Sequence, residues 1–97
     1  MKALSFTPRS AADINAIWDY SAENWGIDQA ERYIAEIRAT CHALASGRRK
    51  GRVATVRTSY LSCRCGSHVI YYRDLPDRLV VIRILHSAQD VERHLHD

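Results

Sequence analysis

Four side chains in the second half of this sequence could bind or cleave an anionic substrate. Arg64, Arg73 and Arg83 alternate with apolar neighbours in segments of strand-like period, and His86 ends the last of these segments. If the arginines share one face of a sheet, they form a cationic cluster that fits carboxylates or phosphates. Cutting a phosphodiester would also need a base for the 2′-hydroxyl and an acid for the leaving oxygen, and His86 is the candidate for proton transfer. These residues therefore allow either an anion-binding surface or a nuclease site.

The remaining histidines and the cysteines do not have the spacing of a metal site. His94 and His96 are two apart, which does not place them on one face of a helix, and His68 adjoins a predicted turn. Cys63 and Cys65 alternate as strand residues do, so we expect both to be small buried side chains on one face. The sequence has no C-x-x-C pair. We therefore expect no metal, no cofactor and no disulfide, and a structural hydrogen bond is the simplest role for a histidine on a strand.

Two tryptophans lie on one stripe of the first predicted helix. Trp18 and Trp25 share that stripe with Ile14, so the simplest interpretation places all three in the core. The functional alternative is that one edge of the stripe stays open as a groove for a helix of a partner protein. Trp25, near the end of the helix, is the more accessible tryptophan in that interpretation.

The positive charge of the chain is concentrated in its middle third. The net charge is +3, but residues 37–73 contain eight basic residues and no acidic one. The segments before and after them carry a net negative charge. A segment of one sign favours an anionic partner, either a nucleic acid or an acidic protein segment, and a solvated basic loop is the alternative. The charge pattern alone does not choose between these three.

Length and composition indicate one globular domain. The 97 residues are 46% apolar and 26% charged, as in ordinary folded proteins and unlike disordered or membrane-spanning chains. No apolar run approaches the roughly 18 residues that a bilayer requires, and residues 1–8 lack the layout of a signal peptide. We therefore expect a single domain over residues 1–97 that stays in the cytoplasm.

The elements that would hold these side chains follow from the hydrophobic period. Thr7 and Pro8 are a typical cap and first-turn proline, and Gly26 and Gly47 are suited to helix ends. Asp28 begins a capping box that restarts the second helix. Beyond a basic loop the period falls to two, which is typical of strands. The predicted order is a strand over 2–6, helices over 8–25 and 28–46, a basic loop over 47–59, strands over 60–65, 68–73 and 78–86, and a short helix over 88–95.

This order predicts an α+β fold in which a helical hairpin packs on one face of an antiparallel sheet. Alternation along the last strand predicts that the apolar triplet Val80, Ile82 and Ile84 faces the helices and that Arg83 points away from them. The other two arginines would join Arg83 on the open face if the strand register allows it. The predicted core is Ile14, Ile17, Trp18, Ile34, Ile37, Cys41, Ile82 and Ile84.

Four phrases of the sequence carry a resemblance to a known family. They are A-D-I-N-A-I-W-D-Y-S-A-E-N-W-G at residues 12–26, A-E-R-Y-I at 30–34, G-S-H-V-I-Y-Y-R at 66–73 and V-V-I-R-I-L-H at 80–86. With the element order and the length, they resemble the ParE branch of the RelE/ParE toxin superfamily. The resemblance implies an N-terminal strand, a helical hairpin, a three-stranded antiparallel meander and a short C-terminal helix. It also implies a toxin of a type II toxin-antitoxin system, of the kind linked to plasmid stabilisation, with DNA gyrase as its target. Its partner would be a ParD-like antitoxin whose tail orders on binding.

Three functions are open at this point. The leading hypothesis is a non-enzymatic toxin that binds gyrase and has no catalytic residue. The alternative is a ribosome-dependent mRNA endonuclease of RelE type that uses the three arginines with His86. The sequence has no tyrosine after Tyr72 for the proton-transfer position that the nuclease branch has near its C-terminus. The third is a family member that only binds its antitoxin. The predicted antitoxin-binding residues are Trp18, Trp25, Arg64, Arg73 and Arg83.

Overall fold

The computed structural model describes residues 2–54, 59–89 and 95. Within them the chain forms two helices and five strands, in the order of a strand, a helical hairpin and then the remaining strands. This arrangement confirms the predicted α+β class. The elements are β1 (Ala3–Phe6), α1 (Pro8–Trp25), α2 (Ile27–Ser46), β2 (Arg52–Val53), β3 (Leu61–Cys65), β4 (His68–Asp74) and β5 (Arg78–His86).

The described strands form one mixed sheet in the order β1-β5-β4-β3-β2. The meander from β3 to β5 is antiparallel, as predicted. The expectation that the whole sheet is antiparallel is wrong, because β1 runs parallel to β5, with Ala3 beside Arg78. After the helical hairpin the chain enters the sheet at the opposite edge, as β2. The strands β3, β4 and β5 then follow one another back across the sheet, so that β5 lies beside β1 and runs in the same direction. The first and last described strands in chain order, β1 and β5, are therefore neighbours in the sheet.

Local sequence signals define the helix ends. The hydroxyl of Thr7 accepts a hydrogen bond from the Ser10 amide at 3.1 Å, and Pro8 occupies the first turn of α1. Gly26, with φ of 95°, is the single residue between the two helices. The predicted capping box at Asp28 does not form: α2 begins at Ile27, its cap position is Gly26, and no side chain caps it. Because α2 begins directly after Gly26, Asp28 lies inside its first turn, where the negative charge interacts favourably with the helix dipole.

The main core lies between the helices and one face of the sheet. Both helices bury isoleucines at helical spacing, and Ile37 and Cys41 are fully buried. Trp18 is half-buried and packs against this core, so the structural interpretation of that tryptophan is confirmed. The buried members of the cluster are Ile14, Ile17, Ile34, Ile37, Cys41, Leu44, Ala45, Cys63, Cys65, Ile70, Tyr72, Leu79, Val81 and Ile84.

A β-bulge at Ile82 changes which face the residues of β5 occupy. Val81 pairs with Tyr72 and Arg83 pairs with Tyr71, so Ile82 has no partner in the ladder. The prediction that Val80 and Ile82 face the helices is therefore wrong, while Ile84 beyond the bulge does face them. The core side of β5 consists of Leu79, Val81 and Ile84, and Ile82 and Leu85 pack on the opposite side.

Two further predictions meet the described structure only in part. The predicted basic loop contains a short strand, because Arg52 and Val53 pair with Ser62 and Leu61 of β3. Residues 55–58 of that loop lie outside the described residues. Residues 87–89 form turns and a bend where the last helix was predicted to begin, and residues 90–94 lie outside the described residues.

The described residues give no sign of a disulfide or a membrane span. Cys41, Cys63 and Cys65 are all free and buried, as expected for small apolar side chains. Burial raises the pKa of the Cys41 thiol to about 12. No helix in the described part of the chain is long and apolar enough to cross a bilayer.

Candidate functional site

The sheet face turned away from the helices, here called the outer face, is not an open surface. Tyr60, Tyr71 and Leu85 of this face form a second apolar cluster, and Leu95 contacts it with only 1% of its surface exposed. Val69 and Ile82 pack against the cluster. The predicted arginine face is therefore partly covered, and its arginines surround a small core.

Arg73 and Arg83 line a cavity of about 700 Å³ at the edge of this cluster, here called the arginine cavity. The two residues belong to neighbouring strands and lie on the outer face, as predicted, because Arg73 pairs with Val80 and Arg83 with Tyr71. The start of α1 contributes a third cation, Arg9. The remaining described lining residues are Thr7, Pro8, Ser59, Tyr60 and Ile82. The cavity thus combines cationic side chains with apolar walls.

Arg83 is held by an acidic residue of α1. Its Nε and Nη2 atoms donate to the two carboxylate oxygens of Asp13 at 2.8 and 2.9 Å, and Asp13 also accepts from the Ile84 amide at 2.9 Å. Both side chains of the pair are 14% exposed. The hydrogen bonds to Asp13 raise the pKa of Arg83 above its ordinary value. This bidentate pair joins α1 to β5 immediately after the bulge, so much of the Arg83 charge is already compensated.

Arg64 is not part of the same cavity. It pairs with Val69 on the outer face, and its Nε donates to the carbonyl oxygen of Gly66 at 3.2 Å. It lines a separate groove with Arg49 at the end of the sheet near β2. The three arginines predicted as one cluster therefore share a face but occupy two sites.

Trp25 lies at a third site, a cavity of about 310 Å³ between the helices and the turn after β3, here called the aromatic cavity. Trp25 is 69% exposed and Tyr20 is 64% exposed. The simplest interpretation, which placed Trp25 in the core, is therefore wrong, and the prediction that Trp25 is the more accessible tryptophan is confirmed. Trp18 is absent from the described lining of this cavity. The cavity is lined by Tyr20, Ser21, Trp25, Gln29, Tyr33, Ser67, His68 and His86.

A hydrogen-bond network occupies the floor of the aromatic cavity. The Tyr33 hydroxyl lies 2.6 Å from Nδ1 of His68 and 3.2 Å from the Cys65 carbonyl oxygen, and it accepts from the Ser67 amide at 3.2 Å. Burial lowers the pKa of His68 below its ordinary value, and the neighbouring His86 lowers it further, while Asp13 acts in the opposite direction. The environment of His68 therefore favours its neutral form. The network gives this histidine the structural role that the sequence suggested.

His86 lies on the helix side of the sheet, apart from the arginines of the outer face. It pairs with His68 in the ladder, and the two rings meet edge to face at 5.3 Å. Its Nδ1 accepts a hydrogen bond from the Ala88 amide at 3.0 Å. The described geometry therefore does not bring His86 together with Arg73 and Arg83, as a nuclease site built from these residues would need. No group of three or more metal-binding side chains occurs among the described residues.

Sequence reasoning missed three residues that help to build these sites, namely Asp13, Tyr33 and Arg9. Asp13 gave a usable signal, since it is an acidic residue beside Ile14 and Ile17 on the buried side of α1. Tyr33 gave a weaker one, because an aromatic residue in a helical stripe fits the core equally well. The contribution of Arg9 to the arginine cavity had no signal, because it depends on how α1 approaches β5.

The sequence and the fold match one family of known proteins. A sequence model of the family described as "ParE toxin of type II toxin-antitoxin system, parDE" matches residues 4–91. The chain is 36% identical to Toxin ParE1 of Caulobacter vibrioides over 96 residues, which cover 98% of this chain and 99% of that protein. It is 35% identical to Toxin ParE1 of Mycobacterium tuberculosis over 91 residues, which cover 92% of this chain and 93% of that protein.

Solved structures agree at the level of the fold. A chain of the "Chromosomal ParDE TA system from P. aeruginosa" superposes with a TM-score of 0.78 at 20% identity, covering 89% of this chain and 96% of that one. A "YoeB/ParE toxin from Agrobacterium tumefaciens" superposes with a TM-score of 0.56 at 21% identity, covering 89% of this chain and 98% of that one. From the family match and the near-full-length relatives, we conclude that this chain belongs to the ParE toxin family of type II toxin-antitoxin systems.

Proposed function

We propose that this ParE toxin inhibits DNA gyrase by binding it in the cytoplasm, and that a ParD-like antitoxin neutralises it by covering the arginine cavity and the aromatic cavity. Family membership supports the role of toxin in a toxin-antitoxin pair. The antitoxin contact is supported by the mixed chemistry of the arginine cavity. Gyrase as the target is a separate part of this proposal and has its own test below.

The arginine cavity fits an acidic segment with apolar side chains. Arg9 and Arg73 are exposed cations at its rim, and Pro8, Tyr60 and Ile82 provide apolar wall. A carboxylate beside an arginine forms charge-assisted hydrogen bonds, and an adjacent apolar side chain would cover the wall. An amphipathic, acidic antitoxin segment satisfies both requirements, and ordering of that segment on binding would bury apolar surface with a negative heat-capacity change.

The aromatic cavity would take a second contact from the same antitoxin. Trp25 and Tyr20 are large, exposed and close to the joint of the helical hairpin. Aromatic residues of this kind dominate the energy of protein interfaces when a partner covers them. Because the two cavities involve opposite ends of α1, an antitoxin that reaches both must extend along the first helix.

A non-enzymatic mechanism fits the separation of His86 from the arginines. Phosphodiester cleavage needs a proton-transfer group and cationic groups within reach of one phosphate. In the described residues the sheet lies between His86 and the pair Arg73 and Arg83. This single observation favours inhibition by binding over the ribosome-dependent nuclease.

Expression of the toxin without its antitoxin tests the target. We expect DNA breaks and SOS induction, with ribosome-bound transcripts left intact. We also expect that His86→Gln keeps toxicity, because gyrase binding requires no proton transfer. Site-specific transcript cleavage without DNA breaks, abolished in a folded His86→Gln protein, would replace this proposal with the nuclease. Absence of both effects from a folded and expressed toxin would leave only antitoxin binding.

Calorimetry with the antitoxin tests the binding surface. We expect Arg73→Gln and Trp25→Ala each to weaken binding by at least tenfold, and Arg73→Gln also to reduce its salt dependence. Arg78→Gln is a matched control, since Arg78 is an exposed arginine at the other end of β5 whose partner is Asp77. Wild-type affinity in both variants would exclude these two cavities as the antitoxin site.

A further inference from the structure

A second cationic surface lies at the β2 edge of the sheet, away from both cavities of the proposed antitoxin site. It is a groove of about 500 Å³ that holds Arg49, Lys50, Arg52 and Arg64, here called the basic groove. Its other described lining residues are Gly51, Ser62, Cys63, Val69 and Tyr71. None of these lining residues is acidic, so the groove is a site of one sign.

Two of the three arginines of the basic groove, Arg49 and Arg64, are oriented by neutral partners. Arg49 donates from Nη2 to the carbonyl oxygen of Arg64 at 2.8 Å, and Arg64 donates from Nε to the carbonyl oxygen of Gly66 at 3.2 Å. Backbone carbonyls hold a guanidinium in place without cancelling its charge. Within residues 2–54, 59–89 and 95 the ion pairs are Lys2 with Asp74, Arg78 with Asp77, and Arg83 with Asp13, and none involves the groove.

A glycine keeps the basic segment close to the sheet. A Cβ atom at Gly51 would overlap the Ser62 carbonyl oxygen and the Tyr72 hydroxyl. The Gly51 amide instead donates to that hydroxyl at 2.8 Å. The backbone between Lys50 and Arg52 is therefore held against β3 and β4 at Gly51. The four cations are therefore arranged by the fold, and they are not carried on a free loop.

We propose that the basic groove binds the phosphate backbone of duplex DNA. Phosphates are the ligands for which uncompensated, partly pre-oriented arginines and lysines are suited, and they give binding that depends on charge and not on base sequence. A single strand would need exposed aromatic side chains for base stacking. The groove offers none among its described residues, because its aromatic residue, Tyr71, is 7% exposed. An acidic amphipathic protein segment would find the larger apolar wall in the arginine cavity.

Fluorescence anisotropy of a labelled DNA duplex at several salt concentrations tests this proposal with the toxin alone. If about four phosphates are contacted, the slope of log affinity against log salt is about −3 to −4. Arg49→Gln with Arg64→Gln should make the slope shallower by about two and lower the affinity at least tenfold. Arg38→Gln is the control, since it removes one charge from the exposed side of α2, outside the lining of the groove.

A further variant separates geometry from net charge. Gly51→Ala keeps every cation but forces the segment away from β3, so we expect weaker duplex binding at unchanged charge. Circular dichroism and thermal melting establish that each variant is folded, and the double arginine variant decides the matter if Gly51→Ala does not fold. Three results would overturn the proposal: an unchanged salt slope in the folded double variant, tighter binding of the single strand than of the duplex, or binding of an acidic peptide in the groove with no binding of the duplex.

Discussion

The ion pair between Asp13 and Arg83 should be one of the main determinants of stability in this fold. Asp13→Ala removes three hydrogen bonds, two from Arg83 and one from the Ile84 amide. Both side chains are only 14% exposed, so the change removes a shared carboxylate from a site that water reaches poorly. Loss of one partner of a buried pair costs about 3 to 5 kcal/mol, and the residual exposure places this case near about 3 kcal/mol. For a domain of this size that corresponds to a fall in melting temperature of about 12 to 24 °C.

Urea denaturation monitored by circular dichroism measures this cost. Asp19→Ala is the matched control, because Asp19 is an exposed acid on the same helix, and it should change the free energy of unfolding by less than about 0.5 kcal/mol. In a double-mutant cycle, Asp13→Ala with Arg83→Met should be more stable than the sum of the single effects predicts, by about 1 to 3 kcal/mol. If the free energy of unfolding of Asp13→Ala lies within about 0.5 kcal/mol of the wild-type value, the pair does not hold α1 to β5 and the reasoning from its burial is wrong.

Three further predictions concern the core, the histidine network and the thiols. Ile84→Ala should lower the free energy of unfolding by about 2 to 5 kcal/mol, and Ile82→Ala should lower it by at least about 1 kcal/mol less. The reason is that Ile84 is 2% exposed in the main core, whereas Ile82 is half-buried on the other face. Equal costs of the two substitutions in urea denaturation would contradict the bulge. The folded-state pKa of His68 is lowered, so the unfolded chain takes up its proton first, and the free energy of unfolding should fall as pH is lowered from about 7 to 5. His68→Asn should flatten that dependence, and an unchanged pH profile would exclude this histidine as its source. All three thiols are buried, and burial also raises the pKa of Cys41 and Cys63. The three should therefore resist an aromatic disulfide reagent near neutral pH and react fully in guanidinium, and rapid reaction of the folded protein would show that the core opens.

Regular patterns made much of the fold predictable. The stripes of α1 and α2, the Thr7 cap and the Gly66 turn are local signals, and each determined an element in the structure. The face of β5 could not be derived in the same way, because the run from Leu79 to Leu85 is apolar on both faces apart from Arg83. One unpaired residue, Ile82, reverses the alternation, and such a run contains no mark of where the insertion occurs.

The candidate sites were predictable by residue type but not by grouping. Alternation predicted that Arg83 points away from the helices, while a shared face with Arg64 and Arg73 depended on the strand register, which the structure supplies. Their division into two sites depends on strand order and on Asp13, which approaches from a helix distant in sequence. Contacts between distant segments arise from packing, and one sequence alone does not specify them.

The parallel pairing of β1 with β5 determines how late in synthesis the sheet around the arginine cavity can be completed. α1 and α2 can associate as soon as they leave the ribosome, because their contacts are local. The first strand, in contrast, has to wait for the last described strand, since Ala3 pairs with Arg78 and Phe6 with Val81. The arginine cavity is lined by residues that follow each strand of this pair, Thr7 and Pro8 after β1 and Ile82 and Arg83 beyond the paired part of β5. A nascent or prematurely terminated chain that lacks β5 therefore has no arginine cavity, and a truncated translation product would not present the surface that we propose for the antitoxin.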